Sequence, residues 1–174
     1  PLIIVGLVTA AIGDLGGGAG KMLLVTVIIA YLDTVLVALG GFGVGKTFFL
    51  HAMAARLIER GCGVLVIGAY SFLDIARKSY LNQEEEGLQE LIDTDVLMLD
   101  DLGSEPLMRN ITIEQLFSLI NERQRRNLAT VISTNLTEEE LRERYTERIM
   151  SRLTDRTQCE FIPMVGRDIR TGRR

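Results

Sequence analysis

The sequence predicts an α/β fold in which a mainly parallel sheet of five strands is covered by helices on both faces. From Asp33 onward, short β-branched runs alternate with longer segments of helical periodicity, which is the order expected of parallel strands joined by crossover helices. A glycine-rich turn at residues 40–47 joins an apolar run to an amphipathic segment. The chain has 174 residues, 47% of them hydrophobic and 24% charged, which suits one globular domain with a full core.

The first half of this pattern contains three predicted strands and three predicted helices. The strands are short β-branched and aliphatic runs at Val35–Leu39, 64–67 and 96–99. The helices are periodic segments at 48–60, 71–80 and 83–92. Gly61 and Gly63 are expected to end the first helix, and Ser71 is expected to cap the second. The third helix begins with acidic residues at 84–86, which favour a helix N-terminus.

The second half continues the alternation to the end of the chain. A long amphipathic helix is predicted at 111–126, with Leu116, Leu119 and Ile120 on its apolar side. A strand at 129–133 follows, and then two short charged helices at 138–145 and Glu147–Leu153. The last predicted strand, at 161–165, carries Pro163 and is therefore expected at an edge of the sheet.

The first 34 residues form an atypical apolar and glycine-rich segment, which we separate from a domain spanning residues 35–174. They contain three charged residues, and apolar runs at 2–12 and 22–32 flank the glycines at 16–20. Each run is shorter than the roughly 20 residues of a membrane-spanning helix, and no basic stretch precedes the first run as in a signal peptide. We expect no membrane attachment. Buried strands, a hydrophobic helix or a stretch foreign to the domain remain open for this segment.

The overall composition excludes some classes of function. The formal net charge is −4, so a nucleic-acid partner would need a local basic surface. Cys62 and Cys159 lie far apart, and His51 is the single histidine, which excludes a zinc site of cysteines and histidines. Two scattered cysteines are typical of a reducing compartment, so we expect a cytoplasmic protein.

The strongest functional signal is the run Gly40, Gly41, Phe42, Gly43, Val44, Gly45, Lys46 and Thr47, followed by Phe48. It matches the pattern G-x-x-x-x-G-K-[ST] in full and lies between a predicted strand and a predicted helix, as a phosphate-binding loop requires. Its glycines allow backbone N–H groups to curl around phosphate oxygens, beside the positive end of the helix dipole. Lys46 is expected to reach the β- and γ-phosphates of ATP, and the Thr47 hydroxyl to bind Mg²⁺. The motif predicts a three-layer P-loop NTPase fold.

A second signal is the apolar run at 96–99, which ends in Asp100 and Asp101. A buried strand of this kind delivers Asp100 to the Mg²⁺ side of the phosphate site, as a Walker B segment does. Asp101 is placed to orient or deprotonate the attacking water, the role of a general base. Taken alone, the run would be interpreted as a strand closed by a solvated turn. Its position downstream of the Thr47 motif favours the catalytic interpretation.

A third signal is Asn135, a polar residue at the end of the fourth predicted strand. Open α/β sheets bind ligands at the carboxyl ends of their strands, so Asn135 is a candidate to hold the hydrolytic water against the γ-phosphate. The alternative is that Asn135 caps the helix that begins near Glu138. The sequence leaves both interpretations open.

Five runs together resemble the DnaC/DnaI helicase-loader and IstB branch of the AAA+ ATPases, whose fold is AAA+/RecA-like. The runs are Gly-Val-Gly-Lys-Thr at 43–47, Leu-Asp-Asp-Leu-Gly at 99–103, Ser-Thr-Asn-Leu at 133–136, Glu-Arg-Ile-Met-Ser-Arg-Leu at 147–153 and Gly-Arg-Asp-Ile-Arg at 166–170. The resemblance covers about residues 35–170 in the family's order. The phosphate-binding loop is common to many ATPases, whereas the later runs together are far more specific.

The resemblance implies roles for four further residues. Asn135 matches the sensor-1 position, and Arg152 matches the arginine finger that reaches the nucleotide of a neighbouring subunit. Arg148 is the close companion of that finger, and Arg170 matches a sensor-2-like arginine near the γ-phosphate. A planar guanidinium suits such roles because its fork of donors binds charged phosphate oxygens. Without the resemblance, Arg148 and Arg152 would be interpreted as a solvated helix face.

The function implied by the resemblance is that of an ATP-binding and ATP-hydrolysing protein of DNA replication that loads a replicative helicase onto single-stranded DNA. Self-association through a shared ATP site is implied as well. The alternatives are an IstB-like ATPase that assists a transposase, a nucleotide-binding scaffold that does not hydrolyse ATP, and a membrane-attached protein using residues 1–39. The docking domain expected before such a core is not recognisable in residues 1–34, so we expect an ATPase core.

Arginines supply the candidate contacts to DNA. They are Arg109, Arg123, Arg125 and Arg126, together with Arg167, Arg173 and Arg174 in the tail. Such charged runs usually mark solvated faces, and no aromatic platform for stacked bases accompanies them. Binding of single-stranded DNA is therefore implied by the family more than by these residues.

Overall fold

A computed structural model of the chain describes residues 35–155 and 157–164, and within them one five-stranded parallel sheet. The strands are β1 Val35–Leu39, β2 Val64–Gly68, β3 Val96–Leu102, β4 Ala129–Thr134 and β5 Cys159–Pro163. Their order across the sheet is β2-β3-β4-β1-β5, and every neighbouring pair is parallel. The predicted sheet is confirmed, with β5 at an edge as the proline in it suggested.

Helices cover both faces of this sheet and make the three predicted layers. They are α1 Lys46–Glu59, α2 Ala69–Asn82, α3 Glu86–Asp93, α4 Glu114–Arg125, α5 Glu138–Arg144 and α6 Glu147–Leu153, with a π-helical turn at Arg109–Ile113 before α4. On one face, Leu50 and Met53 of α1 pack with Leu36 of β1. On the other face, residues of the remaining helices such as Phe72 and Leu116 pack with strand residues that include Val37. Alternate residues of β1 therefore pack into the two hydrophobic clusters on opposite faces of the sheet.

The strand order decides where the polar ends of the strands meet. Because β4 pairs with both β1 and β3, the carboxyl ends of these three strands lie side by side. The glycine-rich turn follows β1, Asp100 and Asp101 lie near the end of β3, and Asn135 follows β4. The three sequence signals therefore share one edge of the sheet.

Several helix boundaries differ from the predictions. The helix α1 begins at Lys46, two residues earlier than predicted, so that its N-terminus opens directly from the glycine turn. Ser71 does not cap α2, because that helix begins at Ala69 with Gly68 in the capping position. Gln83 adopts a left-handed conformation with φ 58° and ends α2, so α3 begins only at Glu86. The strand β3 extends to Leu102 and thus includes both aspartates.

Arg123 is buried, which contradicts its prediction as a solvated contact to DNA. Its exposed fraction is 0%. The guanidinium donates to the carbonyl oxygens of Leu91, Ile92 and Thr94 at 2.8–3.0 Å, and so closes the carboxyl end of α3. It also donates to the carbonyl of Ala129 at 2.5 Å. Burial lowers the pKa of Arg123 to about 10, so the group stays charged at neutral pH.

We expect Arg123→Met to lower the free energy of unfolding by at least about 3 kcal/mol, because it leaves several buried carbonyl groups without a donor. Arg125→Met is the matched control, since the Arg125 side chain is 68% exposed and bonds only to Glu122 in the described structure. That control is expected to cost less than about 1 kcal/mol. Urea denaturation measures both variants, and equal losses would contradict the structural role of Arg123.

The neighbouring arginines of the same run are surface residues held in ion pairs. Arg125 and Arg126 both bond to Glu122, and Arg126 also reaches Asp93 at 2.7 Å. The hydrogen bonds from Arg125 and then Arg126 lower the pKa of Glu122 to about 2. Arg125 and Arg126, two of the candidates for DNA contact, are therefore paired with carboxylates of the same chain.

Some predictions lie outside the described residues. They concern the segment 1–34, the end of the last strand at Val165, the side chain of Arg109, the sensor-2-like Arg170 and the tail residues Arg167, Arg173 and Arg174. Within the part of the chain that the structure describes, no helix combines the length and the apolar character needed to cross a membrane.

Candidate functional site

A cleft of about 310 Å³ opens at the edge of the sheet where β1, β3 and β4 end. The residues that line it are Phe42, Gly43, Gly45, Lys46, Thr47, Phe48, Asp100, Asp101, Ser133 and Asn135. The cleft brings together the phosphate-binding turn, the two aspartates and the asparagine that the sequence singled out. Gly40, Gly41 and Val44 belong to the same turn but do not line the cleft.

The turn before α1 has the backbone conformation of a phosphate-binding loop. Gly43 and Gly45 have φ values of 74° and 96°, a left-handed conformation that a side chain would strain. Gly45 occupies the capping position of α1, and no side chain of the described residues caps that helix. The first N–H groups of the helix are therefore directed to the cleft, where they can donate to a bound anion.

Lys46 is the buried cation of the cleft, with an exposed fraction of 7%. Its ammonium donates to the carbonyl oxygens of Gly40 and Gly41 at 2.5 and 2.7 Å, and to Oδ1 of Asn135 at 2.6 Å. These contacts fix the lysine between the turn after β1 and the end of β4. A buried ammonium in a cleft of backbone donors gives the site a strong preference for negatively charged ligands.

Thr47 and Asp100 meet at the tips of neighbouring elements. The Thr47 hydroxyl donates to Oδ2 of Asp100 at 2.9 Å, and the Ser133 hydroxyl donates to Oδ1 of the same carboxylate at 2.5 Å. Ser133 also accepts from the backbone N–H of Asp101 at 2.9 Å. Sequence reasoning gave Ser133 no role, because its contact with Asp100 exists only when β4 lies beside β3.

Asn135 joins the lysine to the second aspartate. Its Oδ1 accepts from Lys46, and its Nδ2 donates to Oδ1 of Asp101. The alternative role as a helix cap is wrong, because Thr137 caps α5 in a reciprocal arrangement with Glu140. The amide of Asn135 is thus directed to the cleft.

Asp101 has an unusual backbone that directs it into the cleft. Its φ is 59°, in the left-handed region that aspartate and asparagine tolerate better than most residues. The strand pairing between β3 and β4 shifts register between Leu99 and Leu102, around the two aspartates. Such an irregularity re-aims side chains near functional sites.

The oxygen donors of the cleft fit a Mg²⁺ ion bound together with a phosphate. A hydroxyl and a carboxylate lie 2.9 Å apart at Thr47 and Asp100, and both are the hard oxygen ligands that Mg²⁺ prefers. Magnesium is commonly held by one or two carboxylates plus substrate phosphates rather than by a full protein cage. No cluster of three or more His, Cys, Asp or Glu side chains that could hold a metal ion occurs among the described residues.

The two arginines of α6 are not among the residues that line the cleft in the described chain. Arg148 stacks over the Phe117 ring at 4.2 Å and approaches Glu114 at 3.9 Å, with 64% of its side chain exposed. Arg152 is exposed, and its backbone carbonyl accepts from Nε2 of Gln124 at 2.9 Å. Neither guanidinium lines the cleft of its own chain. Both side chains are exposed, so a neighbouring molecule could contact them.

Comparison with known proteins relates this chain to ATP-binding and DNA-replication proteins. The model of a family described as IstB-like ATP binding protein matches residues 24–174. The replicative helicase loader DnaI of Bacillus subtilis is 34% identical over 108 residues, which are 62% of this chain and 35% of DnaI. The chromosomal replication initiator protein DnaA of Cereibacter sphaeroides is 35% identical over 126 residues, which are 71% of this chain and 26% of DnaA.

Solved structures show the same fold. A crystal structure of DnaI superposes with a TM-score of 0.71 at 25% identity, covering 89% of this chain and 86% of that one. A crystal structure of the DnaC helicase loader has a TM-score of 0.68 at 23% identity, covering 86% of this chain and 92% of that one. The sheet and its helices are thus those of an AAA+ P-loop domain. The chain spans about a third or less of the curated DnaI and DnaA proteins that it matches.

Proposed function

The chain belongs to the family of IstB-like ATP binding proteins, and from that premise we propose that its cleft binds ATP with Mg²⁺ and hydrolyses it. The observation that supports this most directly is the hydrogen bond between Thr47 and Asp100, which come from the P-loop helix and from β3. These two groups are the ones that hold the metal in P-loop NTPases. Lys46 lies beside them, in the same cleft.

Binding of the triphosphate follows from the charges and donors of the turn. The N–H groups at the start of α1 and the ammonium of Lys46 bind phosphate oxygens, and Lys46 exchanges its carbonyl partners for them. Phe42 and Phe48 are 73% and 67% exposed at the cleft, and their rings offer apolar contact to the rest of the nucleotide. Thr47 and Asp100 hold Mg²⁺, which neutralises charge on the phosphates when it is bound.

The remaining polar groups of the cleft have roles in the proposed hydrolysis. Asp101 orients the attacking water and accepts its proton, and Asn135 holds Asp101 and Lys46 in a fixed relation. Ser133 fixes the Asp100 carboxylate and the Asp101 backbone. Asp100 is thereby kept in position as a metal ligand, and Asp101 as the general base. The Arg152 guanidinium stabilises the developing phosphate charge in the cleft of a neighbouring chain, with Arg148 beside it. Arg170 is proposed as a further contact to the γ-phosphate.

The cellular task that we propose is loading of a replicative helicase onto single-stranded DNA in the cytoplasm. The 34% identity to the helicase loader DnaI supports this proposal. Phosphate release measured with and without single-stranded DNA and the host's replicative helicase tests it. Stimulation by helicase and DNA is the expected result, and an activity that neither of them changes would contradict it.

A second candidate is an ATPase that assists a transposase, because the matching family model is described as IstB-like. A transposase gene beside the gene for this chain, and stimulation of phosphate release by that transposase rather than by a helicase, would favour it. A protein that binds ATP but releases no phosphate under any of these conditions would instead be a nucleotide-binding scaffold.

Self-association through the ATP site gives a prediction for Arg152. The specific ATPase activity of the wild type is expected to rise with protein concentration, because the cleft is completed by a neighbour. Arg152→Ala is expected to abolish that rise while ATP affinity stays the same. Arg56→Ala is the matched control, since Arg56 is an exposed arginine that pairs with Glu59 on α1. A concentration dependence that survives in Arg152→Ala would contradict the shared site.

A further inference from the structure

Glu105 is a buried carboxylate that the proposed hydrolysis does not use. Its side chain is fully buried, and it lies in the loop that follows β3. A charged side chain in such a position is costly unless it is fully bonded, so its partners indicate what it does. Its partners form two groups. One group lies beside the cleft, and the other lies just before the start of α6.

On the cleft side, Glu105 fixes the backbone just after the catalytic aspartate. Its Oε2 accepts from the N–H of Gly103 at 2.8 Å. Gly103 has a φ of 101°, and a Cβ atom there would lie 2.5 Å from Cδ1 of Leu136, the residue next to Asn135. The carbonyl of Leu102 accepts from the Thr134 hydroxyl at 2.6 Å. The loop is therefore held between β4 on one side and Glu105 on the other.

On the far side, Glu105 bonds to the junction between α5 and α6. Its Oε1 accepts from the hydroxyl of Tyr145 at 2.5 Å and lies 3.6 Å from Nη2 of Arg144. The Arg144 guanidinium also donates to the backbone carbonyl of Glu105. Tyr145 is 2% exposed and ends α5, and Thr146 then precedes α6. One carboxylate thus connects the loop after Asp101 with the end of α5, which directly precedes the helix that carries Arg148 and Arg152.

We propose that Glu105 and Tyr145 are positioning residues that hold Asp101 in its catalytic orientation and couple it to the placement of α6. This inference rests on the proposed ATP hydrolysis. The positive φ of Asp101 needs support from its surroundings, because a left-handed conformation is disfavoured for residues with a side chain. Groups that hold the backbone beside a catalytic residue, as Glu105 holds Gly103, affect turnover without touching the ligand.

The chemistry of the pair keeps it fixed at neutral pH. Burial, followed by the negative charge of Glu105, raises the pKa of Tyr145 well above its usual range. The hydroxyl therefore remains protonated and keeps donating to the carboxylate. The pair acts as a rigid connection between two elements.

The test uses Tyr145→Phe, which removes the hydroxyl and leaves the buried ring. We expect kcat for ATP hydrolysis to fall about tenfold, because the loop after Asp101 loses one of its supports, while the Kd for ATP stays within about twofold. Glu105→Gln is the second variant. It replaces the charge-assisted hydrogen bond from Tyr145 with a neutral one, so a smaller fall in kcat is expected, again with the Kd for ATP within about twofold. Tyr80→Phe is the control, since Tyr80 is 52% exposed on α2 and should leave both constants unchanged.

The outcomes separate positioning from simple stabilisation. A lower melting temperature with an unchanged kcat in both Tyr145→Phe and Glu105→Gln would show a structural role only and would overturn the proposal. If Tyr145→Phe does not fold, Glu105→Gln decides, because its amide oxygen can still accept from Gly103. A fall in kcat that Tyr80→Phe shares equally would also overturn it.

Hydrogen exchange tests the coupling between Glu105, Tyr145 and α6 without requiring ATP hydrolysis, so it can fail separately from the proposed function. In the wild type, adding ATP is expected to slow exchange of the amides at 145–149, at the start of α6, and this response should be lost in Tyr145→Phe but kept in Tyr80→Phe. A wild type that releases no phosphate would end the proposed hydrolysis but leave this readout. An ATP response at 145–149 that persists in Tyr145→Phe, or is missing from the wild type, would overturn the coupling.

Discussion

Lys46→Ala is expected to abolish detectable ATP binding. The ammonium is the buried positive charge of the cleft and already bonds to three oxygens that converge on it. Hydrogen bonds to charged groups contribute roughly 1.5–3 kcal/mol each, so losing those to two phosphates lowers affinity at least about 100-fold. Calorimetric titration with ATP and Mg²⁺ measures the loss.

The control for this variant is Lys78→Ala. Lys78 is a lysine of α2 that pairs with Asp74 and has 55% of its side chain exposed. Its removal changes the net charge of the protein equally, and ATP affinity is expected to stay within about twofold of the wild type. Equal ATP affinities in Lys46→Ala and the wild type would show that the nucleotide does not bind at this turn.

Asp101→Asn is expected to stop turnover while sparing ATP binding. Removal of a general base typically costs about 10²–10⁴-fold in rate, whereas the phosphates are bound by other groups of the cleft. Asparagine tolerates the φ of 59° at this position, and its amide oxygen can still accept from Asn135. The backbone should therefore be preserved, and single-turnover phosphate release measures the loss.

Asp74→Asn provides the comparison for Asp101→Asn. Asp74 is an exposed aspartate of α2, away from the cleft residues. Its variant is expected to keep the wild-type kcat and Kd. If Asp101→Asn also kept the wild-type kcat, Asp101 would not be the general base, and the water would be activated by another group.

Local signals made the fold and the core of the site predictable. The pattern from Gly40 to Thr47 is contiguous, and its glycine conformations and helix N-terminus follow from the sequence with little help from the rest of the chain. The placement of Asp100 and Asn135 at one edge followed from parallel strands ending on the same side. Those predictions needed only the order of the elements and not their exact packing.

Features that depend on which elements are neighbours were not predictable. Ser133 reaches Asp100 because β4 lies beside β3, and the sequence does not specify that order. Arg123 lies in a charged run typical of a solvated face, yet the carboxyl end of α3 lies over it and supplies carbonyl acceptors. Glu105 finds its partner 40 residues further along the chain. Each of these side chains has its role set by tertiary contacts.

The most direct test of the proposed site is binding of Mn²⁺, as a substitute for Mg²⁺, followed by electron paramagnetic resonance with and without ATP. The groups that carry the proposal, Thr47 and Asp100, hold a divalent ion together with phosphate oxygens. We predict that the wild type takes up Mn²⁺ tightly only when ATP is present, in equal amounts of metal, nucleotide and protein. Absence of ATP-dependent Mn²⁺ uptake would contradict the assignment of this cleft as a metal–nucleotide site.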